Sequence, residues 1–271
     1  MMDKLMITVA LVGAETTKQD NPNLPTSPQE LADAAYACWE AGASIIHLHV
    51  RDANEQPTQD VAVFAEAKRL INKRCDIIVQ FSTGGAVGLP VEERTKPLSV
   101  RPEMATLSTG TVNFGPDVFM NSEHYIEGIA KAIVENGVKP EIEVFEVGMI
   151  DNALRLVRKG LLTLPLHFDF VMGVPGGIGG TVKNLLHLVE SIPVGSSWSV
   201  AGIGRAELPL ATMAIIMGGH VRVGFEDNIY YSRGVKAESN AQLVARIVRL
   251  AKELGREVAT PNEARQQLGM A

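Results

Sequence analysis

Short runs of β-branched and apolar residues alternate with longer segments of helical hydrophobic spacing along the whole chain. The short runs predict eight strands, at 6–12, 44–50, 76–81, 103–107, 140–147, 166–172, 198–201 and 220–223. The longer segments predict helices at 28–41, 61–72, 122–136, 150–159, 181–191, 207–217 and 240–254. Such alternation predicts parallel strands joined by crossover helices. Eight strands are more than an open doubly wound sheet usually needs, so we predict a closed (β/α)8 TIM barrel.

The length and composition of the chain fit one barrel domain. Its 271 residues match the usual size of this fold, and its 46% of hydrophobic residues can fill one large core. The segment 21–25 is predicted to be a loop after the first strand, and no low-complexity linker interrupts the chain. We therefore predict a single catalytic domain over residues 1–271.

Charge and hydropathy argue against several classes of function. The chain has 25 Lys and Arg against 31 Asp and Glu and no basic run, so nothing indicates nucleic-acid binding. No apolar run approaches the ~18 residues that cross a bilayer, and the N-terminus lacks the pattern of a signal peptide. Cys38 and Cys75 form no paired motif and are expected to be buried, reduced thiols. We expect a cytoplasmic protein with neither membrane nor nucleic-acid partners.

The strongest chemical signal is a pair of histidines at the end of the second predicted strand. His47 and His49 flank Leu48, so the period of two along a strand places both imidazoles on one face. The catalytic face of a parallel barrel lies at the carboxyl ends of its strands, where two neutral imidazoles can bind one metal ion. The alternative is a pair of interior polar residues bonded to neighbouring carboxylates.

A third metal ligand is expected from the eighth strand. Glu226 and Asp227 lie where that strand should end, two and three residues after Gly224, and strand eight closes the barrel near strand two. Two histidines and one carboxylate leave a coordination position open, as in a catalytic zinc site. An acidic turn that caps the next helix is the alternative.

Other polar residues lie at the remaining strand ends. The hydroxyls among them fit a helix cap or a ligand contact equally well, and the candidates are Glu15, Ser82, Gly85, Thr106 and Ser108. Glu143 lies in strand five on the same face as Glu141, and an inward carboxylate costs stability unless it is paired or bound to an ion. Glu143 is therefore a candidate general base or ligand-holding residue.

Two further features have mainly structural interpretations. His167 and Asp169 share a face of strand six, which predicts a buried His–Asp hydrogen bond or support for a metal site. Glycine-rich loops at 173–180 and 202–205 could meet the phosphates of a cosubstrate through backbone N–H groups. Neither loop matches a Walker or dinucleotide motif, so tight turns explain them equally well.

Four motifs in order resemble those of the β-keto acid cleavage enzymes. They are the segments 45–52, 82–85, 139–145 and 220–228, and the resemblance extends from the first strand to the segment 260–265. The resemblance implies a zinc-dependent TIM barrel that condenses a β-keto acid with acetyl-CoA and releases acetoacetate and a new acyl-CoA. It also implies a homotetramer.

The same resemblance implies a role for each candidate residue. It assigns the metal to His47, His49 and Glu226, and contacts with the keto acid to Ser82, Gly85, Thr106 and Ser108. It also implies a catalytic group of Arg222, Asp227 and Glu143. Asp227, oriented by Arg222, is expected to remove a proton beside the activated carbonyl, with Glu143 as the other candidate base.

The resemblance also implies a substrate class. In members that act on an amino-bearing keto acid, a glutamate like Glu15 contacts the ammonium group, which favours 3-keto-5-aminohexanoate as the substrate. Two other functions stay open at this point: a metal-dependent hydrolase of the amidohydrolase type, and a metal-stabilised barrel that binds acidic metabolites without turnover. Assays of ester or amide hydrolysis, compared with assays of thioester-dependent C–C cleavage, distinguish the hydrolase from a cleavage enzyme. A binding protein would instead bind keto acids tightly without forming a CoA-dependent product.

Overall fold

A computed structural model describes residues 3–270 of the chain, and in this range eight parallel strands close into a barrel. The strands follow one another around the barrel in chain order, and β8 pairs with β1. They are β1 (Ile7–Ala10), β2 (Ile45–Leu48), β3 (Ile78–Phe81), β4 (Met104–Ser108), β5 (Lys139–Val144), β6 (His167–Met172), β7 (Ser197–Gly202) and β8 (His220–Val223). The predicted TIM barrel is confirmed.

Helices surround the barrel and pack their apolar faces against the strands. They are α1 (Pro28–Ala41), α2 (Val61–Arg74), α3 (Val91–Thr95), α4 (Glu123–Glu135), α5 (Gly148–Arg158), α6 (Val182–Ser191), α7 (Glu207–Met217), α8 (Asn240–Glu253) and α9 (Pro261–Gln267). The bounds of α1 and α7 equal the predicted ones. The short helices α3 and α9 were not predicted, because five and seven residues are too few for a helical period to show.

The register of the strands sets which side chains meet inside the barrel. Thr8 of β1 pairs with Arg222 on one side, and Ala10 of β1 pairs with His47 on the other. Strands β2 and β8 are therefore separated by β1 alone. Side chains that project from both toward the carboxyl end can approach each other across β1, because adjacent strands lie only about 4.8 Å apart.

The base of the barrel is closed by an apolar cluster. Met6, Ile45, Ile78 and Met104 project inward from β1 to β4 or just before them and pack against Ala264 and Leu268 of the α9 segment. The amino end of the barrel is thus sealed by side chains. Within residues 3–270, the barrel is open at the carboxyl ends of its strands, where the polar residues lie.

Three small antiparallel hairpins lie within the loops that follow barrel strands, and none of them was predicted. They pair Val50–Arg51 with Pro57–Thr58, Val112–Phe114 with Asp117–Phe119, and Tyr230–Ser232 with Val235–Lys236. Each follows a barrel strand at its carboxyl end. Their strands have only two or three residues, which is too short for an alternating pattern to indicate them.

Within residues 3–270, no helix is both long enough and apolar enough to cross a bilayer.

The start of α1 shows how the loop after β1 is fixed. Ser27 Oγ accepts from Glu30 N, and Glu30 Oε2 accepts from Ser27 N at 2.8 Å and from Thr26 N at 2.9 Å, which completes a capping box. Gly42 ends the helix in the left-handed conformation at φ 109°. Ser27 and Gly42 thus fix the two ends of the helix at the predicted bounds. Partial burial raises the pKa of Glu30, but these N–H groups and Lys18 outweigh it and lower the pKa to about 2.

Glu30→Gln is expected to make the stability of the folded chain depend less on pH below about pH 4.5. Because the folded-state pKa of Glu30 lies below its ordinary value of 4.5, its contribution is complete above pH 4.5 and is lost as pH falls toward 2. At pH 7 the variant should lose about 0.5–1 kcal/mol, as a weakened helix cap does. Thermal unfolding between pH 2.5 and 7 measures this. Glu135→Gln, an exposed change at the end of α4, is the control, and equal pH profiles for both variants would contradict the assignment.

Candidate active site

The carboxyl ends of the strands surround one pocket of about 420 Å3. Its walls come from the ends of all eight strands and the loops that follow them, and they combine apolar and charged side chains. The charged residues that line it are Glu15, Asp117, Glu143, Arg222, Glu226 and Asp227. Five carboxylates thus face one guanidinium, which makes the pocket suited to a cation.

Three side chains at the floor of the pocket converge as metal ligands do. Glu226 Oε1 lies 3.6 Å from His47 Nε2 and 3.7 Å from His49 Nε2, and one ligand atom from each residue lies within 4.8 Å of the others. A tetrahedral zinc ion with ligands at about 2.0–2.1 Å keeps them roughly 3.4 Å apart. The three residues therefore fit a divalent cation with only small adjustments.

The unpaired atoms at this cluster also fit a cation. His47 Nε2 and Glu226 Oε2 are buried and have no hydrogen-bond partner within residues 3–270. Burial alone lowers the pKa of His47, but the Glu226 carboxylate outweighs it and holds the pKa at about 9. Burial lowers the pKa of His49 to about 4, against the opposing effect of Glu226. Two imidazoles and a carboxylate are the donor set of catalytic zinc sites.

Arg222 occupies the centre of a buried cluster of carboxylates. Its Nε and Nη2 donate to the two oxygens of Asp227 at 2.9 Å each, and Nη2 also donates to Glu226 Oε1 at 2.7 Å. Nη1 lies 3.4 Å from Glu143 Oε1 and 3.3 Å from Asp169 Oδ2. Burial raises the pKa of Asp227, and Arg222 opposes that rise. The guanidinium fixes the orientation of the carboxylate that faces the pocket.

Two glycines allow the β8 loop to bring its acids to the histidines. Gly224 has φ 139°, and a Cβ there would lie 2.2 Å from the Ala10 carbonyl oxygen. The same carbonyl accepts from Glu226 N at 3.2 Å. Gly13, at φ 64°, faces Glu226 across the barrel rim, where a Cβ would lie 2.5 Å from Glu226 Cγ. The backbone thus approaches closely at Gly224, and Gly13 adds a second close contact.

Two buried arginines hold the loops that line the pocket. Arg51 Nη2 donates to the carbonyls of Gly13 and Thr16 at 2.8 Å each, which fixes the loop that carries Glu15. Arg94 Nε donates to the Thr83 carbonyl at 2.6 Å. Its Nη1 and Nη2 reach Met120 O and Asn121 Oδ1, just after the second strand of the 112–119 hairpin. The turn after β3 and this hairpin are thus tied together.

The predicted substrate residues fall into two groups. Glu15, Ser82 and Gly85 line the pocket. Thr106 and Ser108 lie fully buried beneath it, outside its lining. Thr106 Oγ1 accepts from Thr83 N at 3.2 Å, and Ser108 Oγ donates to Glu143 Oε2 at 2.6 Å. Ser108 therefore contacts a residue that lines the pocket, whereas Thr106 contacts the backbone between two lining residues, Ser82 and Gly84.

The polar pair of strand β6 does not form the expected His–Asp hydrogen bond. His167 Nδ1 lies 2.8 Å from Ser197 Oγ, and its Nε2 lies 3.4 Å from Glu141 Oε2. Asp169 accepts from Ser199 Oγ at 2.6 Å and contacts Arg222. That expectation was wrong, because neighbours on β5 and β7 lie opposite these residues in register and are closer partners. Asp169 instead supports the arginine at the site.

The glycines of the 173–180 loop are explained by close packing. A Cβ on Gly176 would lie 2.3 Å from Asn113 O, and one on Gly180 would lie 2.6 Å from Ala206 Cβ. The loop also binds the hairpin, since Gly115 N donates to Pro175 O at 2.9 Å. This favours the tight-turn interpretation of the loop over a phosphate-binding one.

The 112–119 hairpin supplies the pocket residues that sequence reasoning missed. Phe114, Phe119 and Phe145 form a triangle of rings with centroids 6.2–6.3 Å apart and line one wall. Asp117 projects from the same hairpin and has no cationic partner within 4.0 Å among residues 3–270. The strands of this hairpin have three residues each, which is too short for a hydrophobic period to show, so the position of the hairpin over the pocket could not be predicted from the sequence.

The fold and the pocket define a class: a TIM-barrel enzyme with a cluster of two histidines and a glutamate beside a buried arginine–aspartate pair. The profile of the beta-keto acid cleavage enzymes matches residues 4–270. The chain belongs to the β-keto acid cleavage enzyme family and is an enzyme of that family. The family expected from the four sequence motifs is confirmed.

Individual relatives agree with this assignment. The chain is 53% identical to a 3-keto-5-aminohexanoate cleavage enzyme of Fusobacterium nucleatum, over 100% of this chain and 99% of that protein. It is 38% identical to a 3-oxoadipate:acetyl-CoA acetyltransferase of Cupriavidus necator, over 100% and 96% of the two chains. The structure of ObcA in a ternary complex with a C4-CoA adduct and oxalate has a TM-score of 0.78 at 22% identity, covering 92% of this chain and 68% of that one. This last likeness supports the fold.

Gly13→Ala is expected to disturb the His47–His49–Glu226 cluster while the barrel stays folded. A side chain at a left-handed position costs about 1–2 kcal/mol, and the added Cβ would displace Glu226 from the histidines. Gly137→Ala is a matched control, because Gly137 has φ 69° with nothing within 4 Å of its Cβ position. Both variants should lose similar stability, whereas only Gly13→Ala should lose divalent metal and turnover. Equal metal content in the two would contradict the contact.

Proposed function

We propose that this chain is a zinc-dependent enzyme that condenses an amino-bearing β-keto acid with acetyl-CoA and releases acetoacetate and an acyl-CoA. The observation that carries the proposal is the adjacency of the His47–His49–Glu226 cluster and the Arg222–Asp227 pair in one pocket. The use of acetyl-CoA is supported by the name of the Cupriavidus necator relative. The keto acid is supported by the name of the Fusobacterium nucleatum relative.

His47, His49 and Glu226 would hold the metal at the pocket floor. A zinc ion bound there supplies Lewis acidity, which stabilises negative charge on the oxygen of a keto group. The pocket side of the cluster is open, since His49 and Glu226 line the cavity. The 3-keto oxygen of a substrate can therefore approach from the pocket and not from the barrel interior.

Asp227 is the proposed base. Arg222 binds each of its oxygens once, which leaves each oxygen a further lone pair for the pocket. Asp227 takes a proton from C2 of the keto acid, and C2 then bonds to the acetyl carbonyl carbon as CoA thiolate leaves. The thiolate adds to C3 and the C2–C3 bond breaks. Asp227 returns the proton to C2 of acetoacetate, so the cycle needs no further reactant.

Residues beside β3 and β4 are proposed to hold the substrate carboxylate. Ser82 offers a hydroxyl at the pocket wall, and Gly85 leaves little room for a side chain, since a Cβ there would lie 2.8 Å from Leu89 Cδ1. Thr106 holds the turn through Thr83, and Ser108 orients Glu143. Glu143 is the second candidate base, and its bond to Arg222 keeps it at the pocket edge.

The acidic rim favours a substrate with a cationic side chain. Glu15 and Asp117 line the pocket from two separate loops, and neither has an ion-pair partner within 4.0 Å in the described range. Both carboxylates would attract the ammonium group of a substrate bound in this pocket. The aromatic wall can cover the carbon chain that joins this ammonium to the keto group. These features support 3-keto-5-aminohexanoate as the substrate.

The proposed oligomer is a homotetramer. Exposed apolar side chains on neighbouring α6 and α7 support association, at Val182, Leu186, Leu208 and Ile216. Sedimentation equilibrium of the full chain measures the state directly.

His49→Ala is expected to remove bound zinc and turnover together. Loss of one of the three proposed metal ligands would remove several kcal/mol of transition-state stabilisation by the metal. We therefore expect kcat/KM to fall roughly 10²- to 10⁴-fold. Metal analysis after dialysis and an assay of acyl-CoA formation measure both losses. His124→Ala, on the exposed face of α4, is the control and should change neither. Full turnover by metal-free wild-type protein would contradict the zinc assignment.

Glu15→Gln and Asp117→Asn are expected to weaken selection for the ammonium group. Each removes a hydrogen bond to a charged group, worth about 1.5–3 kcal/mol, so kcat/KM for 3-keto-5-aminohexanoate should fall roughly 10- to 150-fold. The value for 3-ketohexanoate, which lacks the cation, should stay unchanged or rise. Coupled detection of the acyl-CoA product with a panel of keto acids measures this.

Glu146→Gln controls for loss of a nearby exposed carboxylate, because Glu146 lies after β5 and outside the pocket lining. Equal losses with the ammonium-bearing and the neutral keto acid would contradict the proposed selection. A wild-type preference for a neutral or anionic keto acid would overturn the substrate class.

A further inference from the structure

Gln80 of β3 is a fully buried amide directly beneath the metal cluster. It pairs in register with His47 of β2, and both side chains point into the barrel. Gln80 Oε1 lies 2.7 Å from His47 Nδ1, which is the ring nitrogen that faces away from Glu226. The amide therefore contacts the imidazole on the side opposite to its metal-binding nitrogen.

This contact is the one hydrogen bond that the Gln80 side chain makes within residues 3–270. Its Nε2 is buried and has no partner there. A buried, unsatisfied amide donor costs about 1–3 kcal/mol. An apolar side chain of the same length would fill the space without that cost, so packing does not account for the glutamine. Its contribution lies in the oxygen that it places against His47.

The chemistry of the imidazole gives that oxygen a role. Nε2 of a neutral histidine can bind a cation only when the ring proton sits on Nδ1, and an acceptor at Nδ1 stabilises that tautomer. We propose that Gln80 is a positioning residue that holds the ring of His47 with its proton on Nδ1 and its Nε2 directed at the metal position. This inference rests on the proposed metal site.

His49 differs from His47 in this respect. Across the described range, no protein acceptor reaches the Nδ1 atom of His49, and its ring borders the pocket. His47 is less than 2% exposed. The two ligands are thus unequal: the ring of His47 is set before any metal arrives, and His49 completes the site from the pocket side.

Zinc affinity of the full-length protein tests the role of Gln80. Gln80→Met keeps the length of the side chain and removes the acceptor, and we expect zinc to bind about 10- to 100-fold more weakly, as loss of such a partner usually causes. Gln80→Glu keeps an acceptor at the same place and should bind zinc at least as tightly as the wild type. Gln267→Met removes an amide of α9, at the base of the barrel, and should leave affinity unchanged.

A spectroscopic measurement separates positioning from a merely structural effect. In zinc-loaded wild-type protein labelled with 15N-histidine, His47 should bind zinc through Nε2 and show a slowly exchanging Nδ1 proton. That proton should persist in Gln80→Glu and exchange rapidly in Gln80→Met. The wild-type spectrum tests the inference even when Gln80→Met does not fold.

The outcomes distinguish the two proposals. If the wild-type protein takes up no zinc, the proposed metal site fails and the role of Gln80 fails with it. If the wild type binds zinc and Gln80→Met binds it equally well, the metal site stands and the role of Gln80 is overturned. Coordination of His47 through Nδ1 overturns the role of Gln80 as well.

Discussion

The buried guanidinium of Arg222 is the interaction on which the rest of the site depends. Four carboxylates, of Glu143, Asp169, Glu226 and Asp227, lie within 3.4 Å of its nitrogens. Burial alone lowers the pKa of Arg222, but these carboxylates outweigh it and raise the pKa well above its ordinary value. Without this cation the four acids would repel one another in a space that water barely reaches, and a buried charge left unpaired is strongly destabilising.

Glu226 connects this cluster to the histidines. Its Oε1 accepts from Arg222 at 2.7 Å and lies 3.6–3.7 Å from both imidazoles, while Oε2 is unpaired. A carboxylate shared in this way carries less free negative charge than an isolated one. A cation at the histidines would keep more of its own positive charge, which is what activation of a keto oxygen requires.

The sequence predicted those parts of the site that depend on the alternation of side chains along one strand. It did not predict the parts that depend on how neighbouring strands and loops are aligned in the folded chain. Alternation placed His47 and His49 on one face, and closure of eight strands brought Glu226 near them. Gln80 was not singled out, because its contact with His47 appears only when β2 and β3 are aligned in register. Asp117 was missed for a related reason: the hairpin that carries it is held over the pocket by long-range contacts such as Gly115 to Pro175.

The geometry of Arg222 also explains why a lysine could not replace it. Its Nε and Nη2 make the short contacts of 2.7–2.9 Å on the pocket side, whereas Nη1 makes the longer ones of 3.3–3.4 Å toward Glu143 and Asp169. Burial raises the pKa of Asp169 to about 7, against the opposing effect of Arg222. An ammonium would match the charge of Arg222 but offers no planar fork. It is the fork that sets the plane of the Asp227 carboxylate relative to the His47–His49–Glu226 cluster, and a carboxylate rotated out of that plane would no longer face the pocket in the same way.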